Sequence, residues 1–221
     1  MKAMILAAGR GERLKPLTDT IPKPLLKVGS KSLIEYHLEN LKHAGISEVV
    51  INIAWLGKLI QKVLGNGQNY NLNISYSDEN DSALETAGGI IKALPLLGND
   101  PFLVINGDIW SDYDLKPLID KKLQGEAHLI LVENPEHNKE GDFSLENGLL
   151  KNTGGIMYTY SGIGLYSKQF FEGLRPGKSA LAPIIREKAE QRLVTASVHN
   201  GLWTDVGSAE RLAILDNNLQ R

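Results

Sequence analysis

Residues 2 to 26 read KAMILAAGRGERLKPLTDTIPKPLL. The opening run, KAMIL, suits a buried β-strand, and from Ala7 onward it gives way to small, charged and proline residues. The loop that follows carries Gly9 and Gly11, the cations Arg10, Arg13, Lys15 and Lys23, and the stiffening prolines Pro16, Pro22 and Pro24. In open α/β sheets, ligands collect at the carboxyl ends of strands. A strand that opens directly into a glycine-rich basic loop therefore predicts an α/β fold with an anion site at that end.

The rest of the chain continues the pattern. Strand-length apolar segments recur at 2–7 (KAMILA), 48–53 (EVVINI), 72–77 (LNISYS), 102–106 (FLVIN) and 127–132 (AHLILV). Several are nearly continuous in Val, Ile and Leu, as parallel strands covered on both faces require. A helix over 32–44 places Leu33, Ile34, His37, Leu38 and Leu41 on one stripe, with Gly45 as its stop. A second helix, 86–94, is expected to end at Pro95. Strands alternating with helices imply right-handed βαβ crossovers. After about residue 133 glycine and asparagine become frequent, and short alternating runs suggest hairpins. Helix-like segments at 180–192 and 208–219 close the chain. The expected fold is α/β: a Rossmann-like doubly wound, mostly parallel mixed sheet with helices on both faces, plus a smaller antiparallel C-terminal portion. It is read as one domain, 1–221, with a first part of about 1–133 and a closing part of about 134–221.

Composition narrows the function classes. With 221 residues, 42 % hydrophobic and 23 % charged, the chain is an ordinary globular one able to bury a core unaided. Cysteine is absent, which excludes disulfides, thiolate nucleophiles and thiolate metal sites. A formal charge of −2 offers no global field for nucleic acid, so any anion site must be local. No apolar run approaches the roughly 20 residues of a membrane span, and the N-terminal run is too short for a signal peptide. The expectation is a cytoplasmic protein, monomeric or weakly homo-oligomeric, with neither nucleic acid nor membrane as partner.

In the opening loop, small residues at 7–9 and 11 let successive backbone N–H groups approach an anion. Arg13 supplies a planar fork suited to phosphate and Lys23 a compact charge. A Rossmann fingerprint needs a third small residue opening a helix, but Leu14 stands there and Pro16 follows. A P-loop needs a terminal Gly-Lys-Ser/Thr, which is absent. A solvated basic turn is the bland alternative.

The combination of Gly9, Gly11 and Arg13 with Pro22-Lys23-Pro24-Leu25 resembles the signature of the sugar-1-phosphate nucleotidyltransferases. That resemblance implies a nucleotide site built from Ala8, Gly9, Gly11, Glu12, Arg13 and Lys23, with Arg13 and Lys23 catalytic. It implies a base contact at Ala87 and Gly88, in the segment Leu84-Glu85-Thr86-Ala87-Gly88-Gly89; the plain alternative there is a helix cap by Thr86. Nucleotidyl transfer concentrates charge on phosphates, so a hard cation, Mg²⁺, held by carboxylates is expected. Asn106-Gly107-Asp108 and Trp203-Thr204-Asp205-Val206-Gly207 match the family segments that supply two metal ligands, Asp108 and Asp205. Taken alone, Asp205 reads as a turn or cap residue. For the acceptor sugar phosphate, Asn106, Gly141, Asp142 and Gly162 match pocket segments. Many relatives carry an E-x-K-P element whose lysine meets the sugar phosphate, and here Tyr158-Thr159-Tyr160-Ser161 stands instead.

The five histidines show no metal-ligand spacing, and His37 falls on an apolar stripe. Trp55, Trp110 and Trp203 read as core or pocket wall. Within the family, LETAGG, NGDIWSDYD, the GDF turn and the end at Arg221 look closest to the N-acetylmuramate 1-phosphate uridylyltransferases of cell-wall recycling, with UTP as donor. Mannose-1-phosphate guanylyltransferase, or a glucose-1-phosphate uridylyl- or thymidylyltransferase, is the competing reading. Outside the class stand a non-catalytic nucleotide-sugar-binding protein and a nicotinamide-dependent oxidoreductase.

Overall fold

The computed structural model describes residues 1–80 and 83–220. Its strands are β1 (Ala3–Leu6), β2 (Lys27–Val28), β3 (Lys31–Ser32), β4 (Glu48–Ile53), β5 (Asn73–Asp78), β6 (Phe102–Asn106), β7 (Ile109–Ser111), β8 (Ala127–Val132), β9 (Phe143–Glu146), β10 (Leu149–Lys151), β11 (Met157–Tyr166), β12 (Val194–His199) and β13 (Trp203–Asp205). Its α-helices are α1 (Leu33–His43), α2 (Gly57–Leu64), α3 (Glu85–Leu97), α4 (Lys116–Ile119), α5 (Leu181–Glu190) and α6 (Ala209–Leu219).

Nine strands form one sheet in the order β5-β4-β1-β6-β11-β8-β12-β10-β9. The block β5-β4-β1-β6 is parallel throughout. The long strand β11 then enters antiparallel to both β6 and β8. β8 and β12 are parallel, and the β9–β10 hairpin finishes the edge antiparallel. The sheet is therefore mixed, as expected, with parallel pairing in its first four strands and again between β8 and β12, and antiparallel pairing elsewhere. The hairpin turns at Asn147 and Gly148, both left-handed (φ 50° and 79°), the geometry that Asn-Gly favours.

Alternation along β1 separates two cores. Ala3 and Ile5 face Ile34, Leu38 and Leu41 of α1 and Ile60 and Leu64 of α2. Met4 faces Ala87, Ile90 and Ala93 of α3 and Ile184 and Ile185 of α5. Helices thus cover both faces, and the continuous apolar strands follow from that. α1 starts at a capping box in which Ser32 and Glu35 satisfy each other's backbone donors. α3 runs on past the expected stop: Pro95 lies in its last turn, where losing one N–H donor removes a single bond and Gly98 N still donates to Leu94 O.

Two small devices position the site. β7 and β13 form an antiparallel ribbon that pairs Asp205 with Ile109, and Val206 N donates to Asp108 O at 2.7 Å. α6 packs against β2, with Gly29 N donating to Asp216 Oδ1 at 2.6 Å. The last helix is thereby tied back to the first third of the chain.

Candidate active site

The loop leaving β1 has no α-helix. It folds as three 3₁₀ turns, Glu12–Leu14, Leu17–Asp19 and Lys23–Leu25. Gly11 is left-handed (φ 69°), and a Cβ there would come 2.9 Å from Thr18 Cγ2 while Thr18 Oγ1 donates to Gly11 O at 2.8 Å. Glycine is required there by both conformation and space. Arg10 is engaged locally, with Nη1 donating to Thr18 O, Nη2 paired with Asp19 and the guanidinium 3.9 Å over the Trp55 ring. Arg13 is exposed at the loop's mouth.

This loop borders a cavity of about 340 Å³ at the carboxyl ends of β1, β4 and β6. Ala8, Gly9, Gly11, Glu12, Arg13, Lys23, Asn106 and Asp108 line it together. Eight of the residues marked by sequence thus share one wall, at the end of the sheet where ligands collect.

Lys23 opens its 3₁₀ turn, and the extended residue is Pro22 before it (ψ 140°). Its Nζ lies 2.5 Å from Asp108 Oδ2, with the lysine side chain 10 % exposed and the aspartate 38 %. A buried cation needs a counter-charge, and Asp108 supplies it. Asp205 has a partner of its own kind: Arg211 Nη1 donates to its Oδ1 at 2.6 Å, and His137 Nε2 is 3.0 Å from the same oxygen. The helix cap expected of Asp205 is made instead by Ser208, whose Oγ accepts from Arg211 N. Among the described residues no cluster of three or more His, Asp or Glu could hold a metal. Asp108 and Asp205 sit on paired segments and offer two hard oxygen donors. Mg²⁺ suits such a set, because it uses one or two carboxylates and completes its shell with phosphate oxygens and water. His37 is buried behind Asp108, and burial holds its imidazole down to about 4, so it stays neutral there.

The other marked residues lie outside the cavity wall. Ala87 N and Gly88 N both donate to Ser179 O, at 3.0 and 3.1 Å, so neither amide is free to read a base. The cavity wall is met there by Ala83, Glu85 and Thr86 instead. α3 is preceded by Leu84 without a side-chain cap, so Thr86 is no cap either. Asp142 binds inward, with Oδ2 accepting from Tyr160 N at 2.8 Å and Oδ1 from Asn138 Nδ2 at 3.2 Å. Gly141 is left-handed and abuts Asn134. Gly162 makes room for Asn106: a Cβ there would be 2.6 Å from Asn106 Nδ2.

Four residues that sequence reading did not mark belong to the site. Asn52 Oδ1 accepts from Ala7 N, Asn52 Nδ2 donates to Glu79 Oε1, and Glu79 Oε2 accepts from Leu84 N. Asn52 and Glu79 line the cavity yet are almost fully buried. A lone asparagine inside the apolar run EVVINI was the available signal for Asn52; Glu79 carried none. The others are His137 and Arg211. A cation in the first turn of a helix opposes the macrodipole, and that anomaly was the available signal for Arg211.

The fold and the cavity at the first strand's end define a nucleotidyl transferase. The model of the nucleotidyl transferase family matches residues 2–143, and the chain belongs to that family. It is 52 % identical over 220 residues to an N-acetylmuramate alpha-1-phosphate uridylyltransferase of Neisseria meningitidis, covering 96 % of this chain and 95 % of that one. Identity to the protein of that description from Caulobacter vibrioides is 32 % over 223 residues, covering 94 % and 92 %. A mannose-1-phosphate guanyltransferase of Hypocrea jecorina is 38 % identical over 140 residues, covering 62 % of this chain and 38 % of that one. Among solved structures, a Bacillus anthracis protein described as a glucose-1-phosphate thymidylyltransferase superposes with a TM-score of 0.89 at 25 % identity, covering 100 % and 95 %.

Proposed function

We propose that this protein is a sugar-1-phosphate nucleotidyltransferase that joins UTP to N-acetylmuramate 1-phosphate, giving UDP-N-acetylmuramate and pyrophosphate, in the cytoplasm and in cell-wall recycling. The observation that carries this reading is the 52 % identity to the Neisseria uridylyltransferase over nearly the whole of both chains. In this reading residues of about 1–133 hold the nucleotide and about 134–221 close over the sugar.

The chemistry asks little of the side chains beyond placement and charge. An acceptor phosphate oxygen forms a bond to the α-phosphorus while the bond from that phosphorus to the bridging oxygen of pyrophosphate breaks. The second pKa of a phosphate monoester is about 6, so the acceptor is a ready nucleophile near neutral pH without a general base. The Gly9–Gly11 backbone and Arg13 cradle the triphosphate. Lys23, held from below by Asp108, orients its charge toward the phosphates. Asp108 and Asp205 are the residues that would hold Mg²⁺, which neutralises charge on the reacting phosphates. Positioning and preorganised charge account for the rate.

A matrix of nucleoside triphosphates against sugar 1-phosphates, read by pyrophosphate release, tests the substrate pair. UTP with N-acetylmuramate 1-phosphate should give the highest kcat/KM. A higher value for GTP with mannose 1-phosphate replaces the pair.

A further inference from the structure

The acceptor brings a second phosphate to the site, with a charge of about −1.5 to −2. Arg13 and Lys23 stand on the donor side, in the loop after β1. The sequence has no E-x-K-P lysine, so the acceptor phosphate needs another cation.

Arg211 is placed for it. It is the third residue of α6, near the helix's positive end, where a cation is disfavoured unless its side chain has other business. The guanidinium reaches back across Gly207, which lines the cavity, and a Cβ on Gly207 would overlap Arg211 Nη2. Nη1 is held by Asp205 at 2.6 Å and by His137 Nε2 at 2.7 Å. Nη2 makes no hydrogen bond among the described residues. His137 belongs to the loop that ends in Gly141-Asp142, so Arg211 bridges the Asp205 ribbon and that loop.

Resting on the reading above, we propose that Arg211 is the acceptor-phosphate ligand, parked on Asp205 until substrate arrives. Its planar fork suits a phosphate, and its Nη2, unbonded among the described residues, lies against Gly207 of the cavity wall. The arrangement parallels the donor side, where Lys23 is parked on Asp108. Each carboxylate pairs with one cation, Lys23 on Asp108 and Arg211 on Asp205, and a divalent ion held there would weaken both pairs. Mg²⁺ held by the two carboxylates would leave Lys23 and Arg211 freer to meet a phosphate each.

The test uses Arg211→Gln and Arg211→Lys with the sugar 1-phosphate that the wild-type enzyme turns over best, so the choice of sugar does not decide it. Arg211→Gln should raise KM for the sugar 1-phosphate by about 10- to 100-fold, the loss of charged hydrogen bonds, and leave KM for UTP within about twofold. Arg211→Lys should recover part of that loss. Mn²⁺ binding without nucleotide, followed by electron paramagnetic resonance, should be unchanged or tighter in Arg211→Gln, because a competitor for Asp205 is gone. If Arg211 merely holds Asp205 in place, Mn²⁺ binding weakens and both KM values rise together. That result, or an unchanged acceptor KM, overturns the proposal. A substrate matrix won by a different sugar would revise the function and leave this outcome readable.

Discussion

Asn52 Nδ2 donates to Glu79 Oε1 at 2.7 Å, and this buried pair ties the loop after β1 to the start of α3. Asn52 also accepts from Ala7 N, and Glu79 from Leu84 N, both at 2.8 Å. One unit thus spans the glycine-rich loop and the segment bordering the cavity on its far side. Gly89 leaves space for it, since a Cβ there would be 2.5 Å from Glu79 Oε1 and 2.8 Å from Asn52 Nδ2.

Glu79→Ala should therefore strand two donors, the buried Asn52 Nδ2 and the part-buried Leu84 N. The expected loss is about 1–3 kcal/mol for each buried group left unsatisfied, a fall in Tm of several degrees for a chain of this size. KM for the triphosphate should rise more than KM for the sugar 1-phosphate. Unaltered Tm and triphosphate KM would remove Glu79 from the site's framework.

Asp108→Asn and Asp205→Asn each take a full charge from a hard-cation pair. Turnover should drop by orders of magnitude while the fold is kept, and the rise in Tm given by Mg²⁺ with UTP should vanish in both. Asp108→Asn should also be the less stable of the two, because it leaves the buried Lys23 ammonium unpaired. Near-normal turnover with an intact Mg²⁺ response in either variant excludes that carboxylate as a ligand.

For Lys23 the two exposures decide the sign. Truncation leaves Asp108, whose side chain is 38 % exposed and can be hydrated, so the stranded charge costs little. Lys23→Ala should lower Tm by a few degrees through lost packing, yet cut kcat by about 100-fold or more, on the order of one lost charged transition-state contact. A folded variant with unaltered specific activity would make the Lys23–Asp108 pair purely structural.

The strands EVVINI, FLVIN and AHLILV were legible because burial on both faces leaves no polar interruptions to confuse them. The glycine-rich loop after β1 was legible because its signature is local: Gly11, Arg13 and Lys23 lie within thirteen residues. β11 joining antiparallel between β6 and β8 was not legible, since pairing across some sixty residues to β6 and some thirty to β8 leaves no local trace. For the same reason the capture of the Ala87 and Gly88 amides by Ser179 could not be foreseen. Cation storage on Asp108 and Asp205 likewise depends on long-range proximity alone.

His37 and His128 give the fold an acid-sensitive limb. Burial holds both imidazoles down to about 4, against about 6.5 in the unfolded chain. His128 is fixed between Thr195 Oγ1 and Ser197 Oγ, and His37 Nε2 has no partner among the described residues. Between pH 6.5 and 4 the unfolded state binds protons that the folded state refuses, so unfolding free energy falls as pH falls. The contribution is complete above pH 6.5, is lost on descent through this window, and is flat below 4. Each histidine adds a slope of up to about 1.4 kcal/mol per pH unit. His37→Met keeps the apolar stripe of α1 and removes one titrating group. Urea unfolding at pH 7, 6 and 5 should show a shallower decline for this variant than for the parent, with the gap opening below pH 6.5. Parallel declines across that range would mean that His37 takes up its proton as readily when folded as when unfolded.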